Sequence, residues 1–199
     1  MESTLLLFFL GVAVGSFLNV LAMRYKEGGR IFTTDILTGR SRCPYCQKTL
    51  RWYELIPLFS FIIQAGRCRH CHAKLSWQYP IVELLSGLIF VIVPMYTTAA
   101  PIWVLAVLTL LLISLIDLRL YIIPDQLNWF LVLLGFGAII GNGAGAFSAW
   151  EPHLVGAAIG FTVFALIIAL TRGRGMGLGD LKLGAALGFL FGWPKIALI

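Results

Sequence analysis

A chain of 199 residues that is 59% hydrophobic and 12% charged, with a mean hydropathy of +0.91, lies far outside the balance of a soluble globular domain. The net charge of +6 does not point to nucleic acid, because ten of the fifteen Lys and Arg fall in one polar stretch between Arg24 and Lys74. The composition predicts an all-α polytopic membrane protein in contact with the lipid bilayer, with about six or more transmembrane helices.

In chain order, the opening "MESTLLLFFLGVAVGSFLNVLAM" lacks the basic start and the small-x-small cleavage site of a secretory signal peptide, and is read as a retained first span. Spans need roughly 20 mostly apolar residues, and apolar runs occur at 4–23, 81–95, 101–116, 127–140 and 154–170. A sixth begins after Asp180, is short, and is interrupted by "GWPK". The last helix has barely begun at Ile199, so a C-terminally truncated chain is expected. The predicted organisation is a first transmembrane helix over 1–23, a polar lobe over 24–80 and a transmembrane helical bundle over 81–199. No internal repeat or low-complexity tract is read from the sequence.

Basic residues beside spans are retained on the cytoplasmic side, which predicts a cytoplasmic lobe and an external N-terminus. The alternation is consistent further on. "MYTTAAP" and "GNGAGAFSAWEPH" should be external and carry no Lys or Arg, whereas "DLRLYIIPDQ" and "TRGRGMGLGDLK" should be internal and do carry them. Lys195 alone is awkward.

That topology brings Asp117, at the end of "LLISLID", and Asp180, in "GLGD", to the same cytoplasmic edge of the bilayer. An ionisable group near membrane depth persists mainly where it faces a bundle interior, a wet cavity or a partner. Two carboxylates a few ångströms apart cannot both ionise readily, so one pKa rises and the pair shares a proton. This is the electrostatic condition for aspartyl proteolysis. Gly177 and Gly179 would remove side chains that block an extended peptide backbone from the acids. The plainer alternatives are that Asp180 only caps a helix after a glycine turn and that Asp117 is an interfacial acid paired with Arg119 or Lys182. Asp125, in the same inner loop, is the rival of Asp117, but after Pro124 and before an apolar run it better suits capping of the next helix. Glu83 is expected to be a structural anchor favoured by a helix dipole.

The lobe carries "CPYC", with Cys43 and Cys46, and "CRHC", with Cys68 and Cys71. Two such pairs separated by 21 residues match a structural four-thiolate zinc site closely, and disulfides are disfavoured in a reducing cytoplasm. His70 and His72 are spare ligands, since four cysteines already complete the shell. The result would be a small zinc-ribbon-like lobe, within which "WYELIPLFSFIIQAG" is too short to span and reads as buried or interfacial.

With these residues in hand, the chain resembles the type IV prepilin peptidases, GxGD aspartyl proteases that also process type II secretion pseudopilins. The likeness runs through "GSFLNVLAMR", the cysteine loop, "YPIVELLSG", "IDLRLYIIPDQLN" and "GLGDLKLGAALG". It implies cleavage of the leader peptide of prepilins or pseudopilins at the cytoplasmic face of the bacterial inner membrane, with Asp117 and Asp180 as the catalytic pair. Through the cysteine-bearing loop it also implies a second activity, N-methylation of the new N-terminus with S-adenosyl-L-methionine, for which no Rossmann glycine fingerprint is present. Two rival classes are an acidic-residue cation or proton transporter and a non-catalytic zinc-ribbon membrane scaffold.

Overall fold

The computed structural model describes residues 2–31, 33–141 and 147–198; most of the "GNGAG" turn expected outside the membrane therefore lies beyond the described residues. The described chain is helical: α1 Glu2–Arg24, α2 Thr34–Thr38, α3 Phe59–Ile63, α4 Gln78–Tyr96, α5 Ala100–Leu120, α6 Asp125–Gly141, α7 Glu151–Thr171 and α8 Leu178–Phe191, with short 3-10 turns at Trp52–Leu55, Phe147–Ala149 and Lys195–Leu198.

Each apolar run of the sequence becomes a helix, and four of them, α1, α4, α5 and α7, are long and apolar enough to cross a membrane. The expectation of six or more spans holds only in part. α6 has 17 residues and α8 has 14. At about 1.5 Å per residue, α8 reaches only about 21 Å, short of the roughly 30 Å hydrocarbon layer. Its length is set at both ends by glycines: the bend before Leu178, and Gly192, whose φ of 71° halts the helix.

The chain forms two compact units, Met1–Thr98 and Ala99–Ile199. In the first, α1 lies along α4. A Cβ on Gly11 would stand 2.6 Å from the Ser86 carbonyl, and one on Gly15 would stand 2.8 Å from the Glu83 Cα, so these glycines permit the close approach. Buried Asn19 is held in the seam, donating from Nδ2 to the Tyr79 carbonyl at 3.3 Å. At the end of α1, the Arg24 guanidinium donates to the carbonyls of Ile36 (2.6 Å) and Gly39 (2.7 Å), which folds the entry to the lobe back onto the helix.

In the second unit, α7 and α8 run antiparallel along a seam of glycines. Gly156 meets Gly188 and Gly192, and Gly160 meets Gly184, so closely that any added Cβ would collide with backbone. Small residues at four-residue spacing are how apolar helices approach in lipid, where no hydrophobic effect separates lipid from protein contact. α6 packs on the other side of α8, where Gly135 lies against Phe189.

Gly160→Leu should therefore force α7 from α8. The expected loss is at least the about 1–3 kcal/mol of an overfilled contact, read as a lower melting temperature and reduced accumulation in membranes. An unchanged melting temperature would rule out this seam.

Candidate functional site

The two acids are set by the ends of helices in the second unit. Asp117 lies in the last turn of α5, half-buried, and its carbonyl accepts the N–H of Tyr121 at 2.7 Å where the chain leaves the helix in a left-handed conformation. Asp180 lies in the first turn of α8 and is also half-buried. Its Oδ2 accepts the N–H of Gly177 at 3.0 Å. Gly177, rather than Asp180, is the N-cap; the aspartate occupies the third helical position and reaches back. The capping alternative is thus real as a contact, and it uses one carboxylate oxygen.

Two contacts place these helix ends at one end of the unit. Lys182 of α8 bridges both carboxylate oxygens of Asp125, the first residue of α6, at 2.8 Å each. Gly179 lies against the segment joining α5 to α6, where a Cβ on it would be 3.2 Å from Ile123 Cβ. The end of α5, the start of α6 and the start of α8 therefore converge. Lys182 serves Asp125 and not Asp117, and Asp125 does more than begin a helix. The pair is half exposed, so it is worth about 0.2–1 kcal/mol and mainly fixes register.

The two glycines differ. Gly179 is kept small by Ile123, whereas a Cβ on Gly177 would meet no atom closer than 3.7 Å, its own neighbour Asp180 Oδ2, and would project from an exposed position. Neither has a positive φ. Asn128 is a further polar residue of α6 with no role expected from the sequence. It is buried in the first turns of α6, and neither amide atom has a hydrogen-bond partner among the described residues. Its signal was a lone amide inside an apolar run, four residues after Pro124.

In the first unit, the four cysteine sulfurs lie within 4.8 Å of one another. Cys43 Sγ and Cys71 Sγ are 3.8 Å apart, the edge expected of a tetrahedron with zinc–sulfur bonds of about 2.3 Å. The donor set and spacing fit zinc. Each pair sits on the same tight loop. Cys43 N–H donates to the Lys48 carbonyl and Gln47 N–H to the Cys43 carbonyl; Cys68 N–H donates to Ala73 and His72 N–H to Cys68, all at 2.9–3.0 Å. The bridges Arg42 to Thr49 and Arg67 to Lys74 correspond, as do the positive φ values of Gln47 (58°) and His72 (55°). The lobe is thus an internal duplication, "RCPYCQKTLRW" followed by "RCRHCHAKLSW", and the expectation of no repeat is corrected.

The N–H groups of Cys71 and then His70 lower the Cys68 thiol to about 7. Cys71 feels the N–H of Ala73 drawing it down, but desolvation and the other three sulfurs outweigh this and push it up to about 11. Four crowded sulfurs therefore need a cation before all can ionise.

Glu83 is an anchor, as expected, but not through the helix dipole. It lies beyond the first turn of α4, is buried, and accepts the N–H of Leu58 at 2.7 Å, so it ties α4 to the lobe. Residues 52–63 form a 3-10 turn and the short α3, with Phe61 buried and Ile62 and Ile63 exposed, in keeping with a segment that does not span.

The Bacterial Peptidase A24 N-terminal domain family model matches residues 9–97, and the Type IV leader peptidase family model matches residues 103–199. The chain is 34% identical over 197 residues to the prepilin leader peptidase/N-methyltransferase of Bacillus subtilis (strain 168), covering 96% of this chain and 75% of that protein. It is 36% identical over 222 residues to the protein of the same name from Aeromonas hydrophila, covering 98% and 75%. It is 36% identical over 230 residues to that from Dickeya chrysanthemi, covering 98% and 78%. No solved structure matches.

Proposed function

Because the chain belongs to the type IV leader peptidase family, we propose that it is a multi-pass aspartyl endopeptidase of the bacterial inner membrane that removes the leader of type IV prepilins or type II secretion pseudopilins. The observation that carries this reading is the convergence of the end of α5, with Asp117, and the start of α8, with Asp180, at one end of the second unit. In this reading that end and the cysteine lobe face the cytoplasm, and the N-terminus lies outside.

One carboxylate, ionised, takes a proton from water as the water attacks the scissile carbonyl. The other, protonated, donates to the carbonyl oxygen and later to the leaving amine. Exposed Gly177 leaves room for an extended backbone beside Asp180. Asn128 offers an unsatisfied amide to a substrate peptide group. A substrate with a polar leader followed by an apolar helix presents its junction at this depth without leaving the bilayer. Cys43, Cys46, Cys68 and Cys71 would hold a structural zinc ion, a closed shell with no open position for water. The names of the relatives extend the reading to N-methylation of the new amine, with S-adenosylmethionine supplying the methyl group. A cation path or an inert scaffold accounts for neither the family match nor the glycine-lined approach to Asp180.

The test is processing of a prepilin by the purified chain in lipid, with the product N-terminus weighed. The expected product has lost its leader and, with S-adenosylmethionine added, is heavier by one methyl group. An intact precursor in the presence of folded protein would refute the peptidase reading.

A further inference from the structure

A cavity of about 330 Å³ lies in the first unit, between the α1 and α4 seam and the cysteine lobe. Its volume is within the range of small-molecule sites, about 300–1,000 Å³. The walls include Leu50, Phe61 and Leu75, with Arg24, Arg40 and Arg42 also on the lining, and two carboxylates, Glu54 and Glu83, among them. The peptidase acids belong to the other unit.

Glu54 is the informative group. Its side chain is only 2% exposed. Oε2 accepts the N–H of Arg51 at 2.8 Å, while Oε1 has no hydrogen-bond partner among the described residues. The ring nitrogen beside it, His70 Nε2, is 3.9 Å away, beyond hydrogen-bond distance. A carboxylate oxygen removed from water with nothing to satisfy it is costly and calls for an explanation. Nearby the backbone is strained: Leu58 has φ 61° and ψ −54°, with the Phe59 N–H donating to the Pro57 carbonyl at 2.7 Å in a tight three-residue turn that Glu83 holds from α4.

A cavity walled by both apolar side chains and arginines, with a buried carboxylate whose Oε1 accepts no hydrogen bond among the described residues, suits a ligand that brings a positive charge to that oxygen. A divalent metal would need several more oxygen ligands than this oxygen supplies. A sulfonium, a positive sulfur clothed in carbon, needs only the charge. We propose that this cavity binds S-adenosylmethionine, with Glu54 the charge partner of its sulfonium, the apolar walls receiving its adenosyl part and the lining arginines suited to its carboxylate; the assignment rests on reading the chain as an N-methyltransferase.

The test measures binding rather than turnover. Full-length zinc-loaded protein in nanodiscs is dialysed against radiolabelled S-adenosylmethionine and, separately, S-adenosylhomocysteine, which has the same body and a neutral sulfur. Wild-type protein should prefer the charged ligand. Glu54→Gln keeps an oxygen for the Arg51 N–H and should weaken S-adenosylmethionine binding about tenfold, the scale of a hydrogen bond or contact to a charged group, while leaving S-adenosylhomocysteine binding, zinc content and leader cleavage unchanged. If that variant loses its zinc, Ser60→Phe, which fills the cavity from a half-buried wall, should weaken both ligands together.

Wild-type protein that methylates and binds the donor, with both variants binding as wild type, overturns the cavity assignment and leaves the methyltransferase reading standing. Wild-type protein that neither methylates nor binds overturns both. Photo-crosslinking of the donor to residues 99–199 would also overturn the assignment.

Discussion

Asp117→Asn and Asp180→Asn should each reduce leader cleavage by about 10²–10⁴-fold, the usual contribution of a positioned acid or base, while the protein still accumulates in membranes. The substitutions are chosen so that the fold is spared. An asparagine at 180 retains an oxygen for the Gly177 N–H, so the start of α8 keeps its contact. Asp117 is tied into its helix end through its backbone carbonyl, which the change leaves alone. What each variant loses is the ability to exchange a proton. In the proposed mechanism the two carboxylates act as one unit, so the double variant should be scarcely worse than either single one. Asn128→Leu, which replaces a buried unsatisfied amide by an apolar group of similar size, should cost activity without costing stability. Cleavage of a prepilin at the wild-type rate by folded Asp180→Asn protein would remove the aspartyl mechanism. Loss of accumulation with either aspartate variant would instead favour a purely structural role.

The second large effect concerns the metal. The purified chain should carry about one zinc per molecule, and Cys43→Ser or Cys68→Ser should lose it, because these two sulfurs are the buried half of the set. Structural zinc sites supply about 10–16 kcal/mol of apparent binding free energy at neutral pH, far more than a lobe of short turns and two isolated bridges could replace. The metal-free variants should therefore become susceptible to proteolysis between residues 40 and 75. The pH dependence has a definite sign. Zinc needs thiolates, so binding expels the protons still held at a given pH, and affinity measured against a competing chelator should rise from pH 5 to pH 8. Cys68, lowered to about 7, contributes to this rise near neutrality, whereas Cys71, pushed up to about 11, still gives up a proton on binding across the whole window. Leader cleavage should fall less on chelation than on loss of either aspartate, since a closed four-thiolate shell offers no open position for chemistry and takes no part in the proposed proton transfers. Purified protein with no zinc and with its cysteines oxidised in pairs would end the zinc assignment.

Hydropathy was enough to locate every long helix, because a run of apolar residues in a chain of this composition has few other fates. It was not enough to give their lengths. α8 is stopped by Gly192, and neither the bend before it nor its seam with α7 is a matter of hydrophobicity. Partners across the fold were less legible still. Lys182 had three acids within reach by topology, and its choice of Asp125 depends on how α6 packs on α8. Glu83 was recognised as an anchor, yet its partner, a backbone N–H twenty-five residues earlier, leaves no trace in residue types. The duplication in the lobe was legible in principle. The shared Arg, two Cys, Leu and Trp were hidden because the two copies continue differently, the first into a 3-10 turn and the second into the long helix α4.

That duplication also gives the metal centre two unlike sides. Each copy contributes one sulfur turned inward, Cys43 and Cys68, and one turned to solvent, Cys46 and Cys71. Oxidants and chelators would thus meet the outer couple first and strip the ion from that direction, while the inner couple stays sheltered and ready to recapture it.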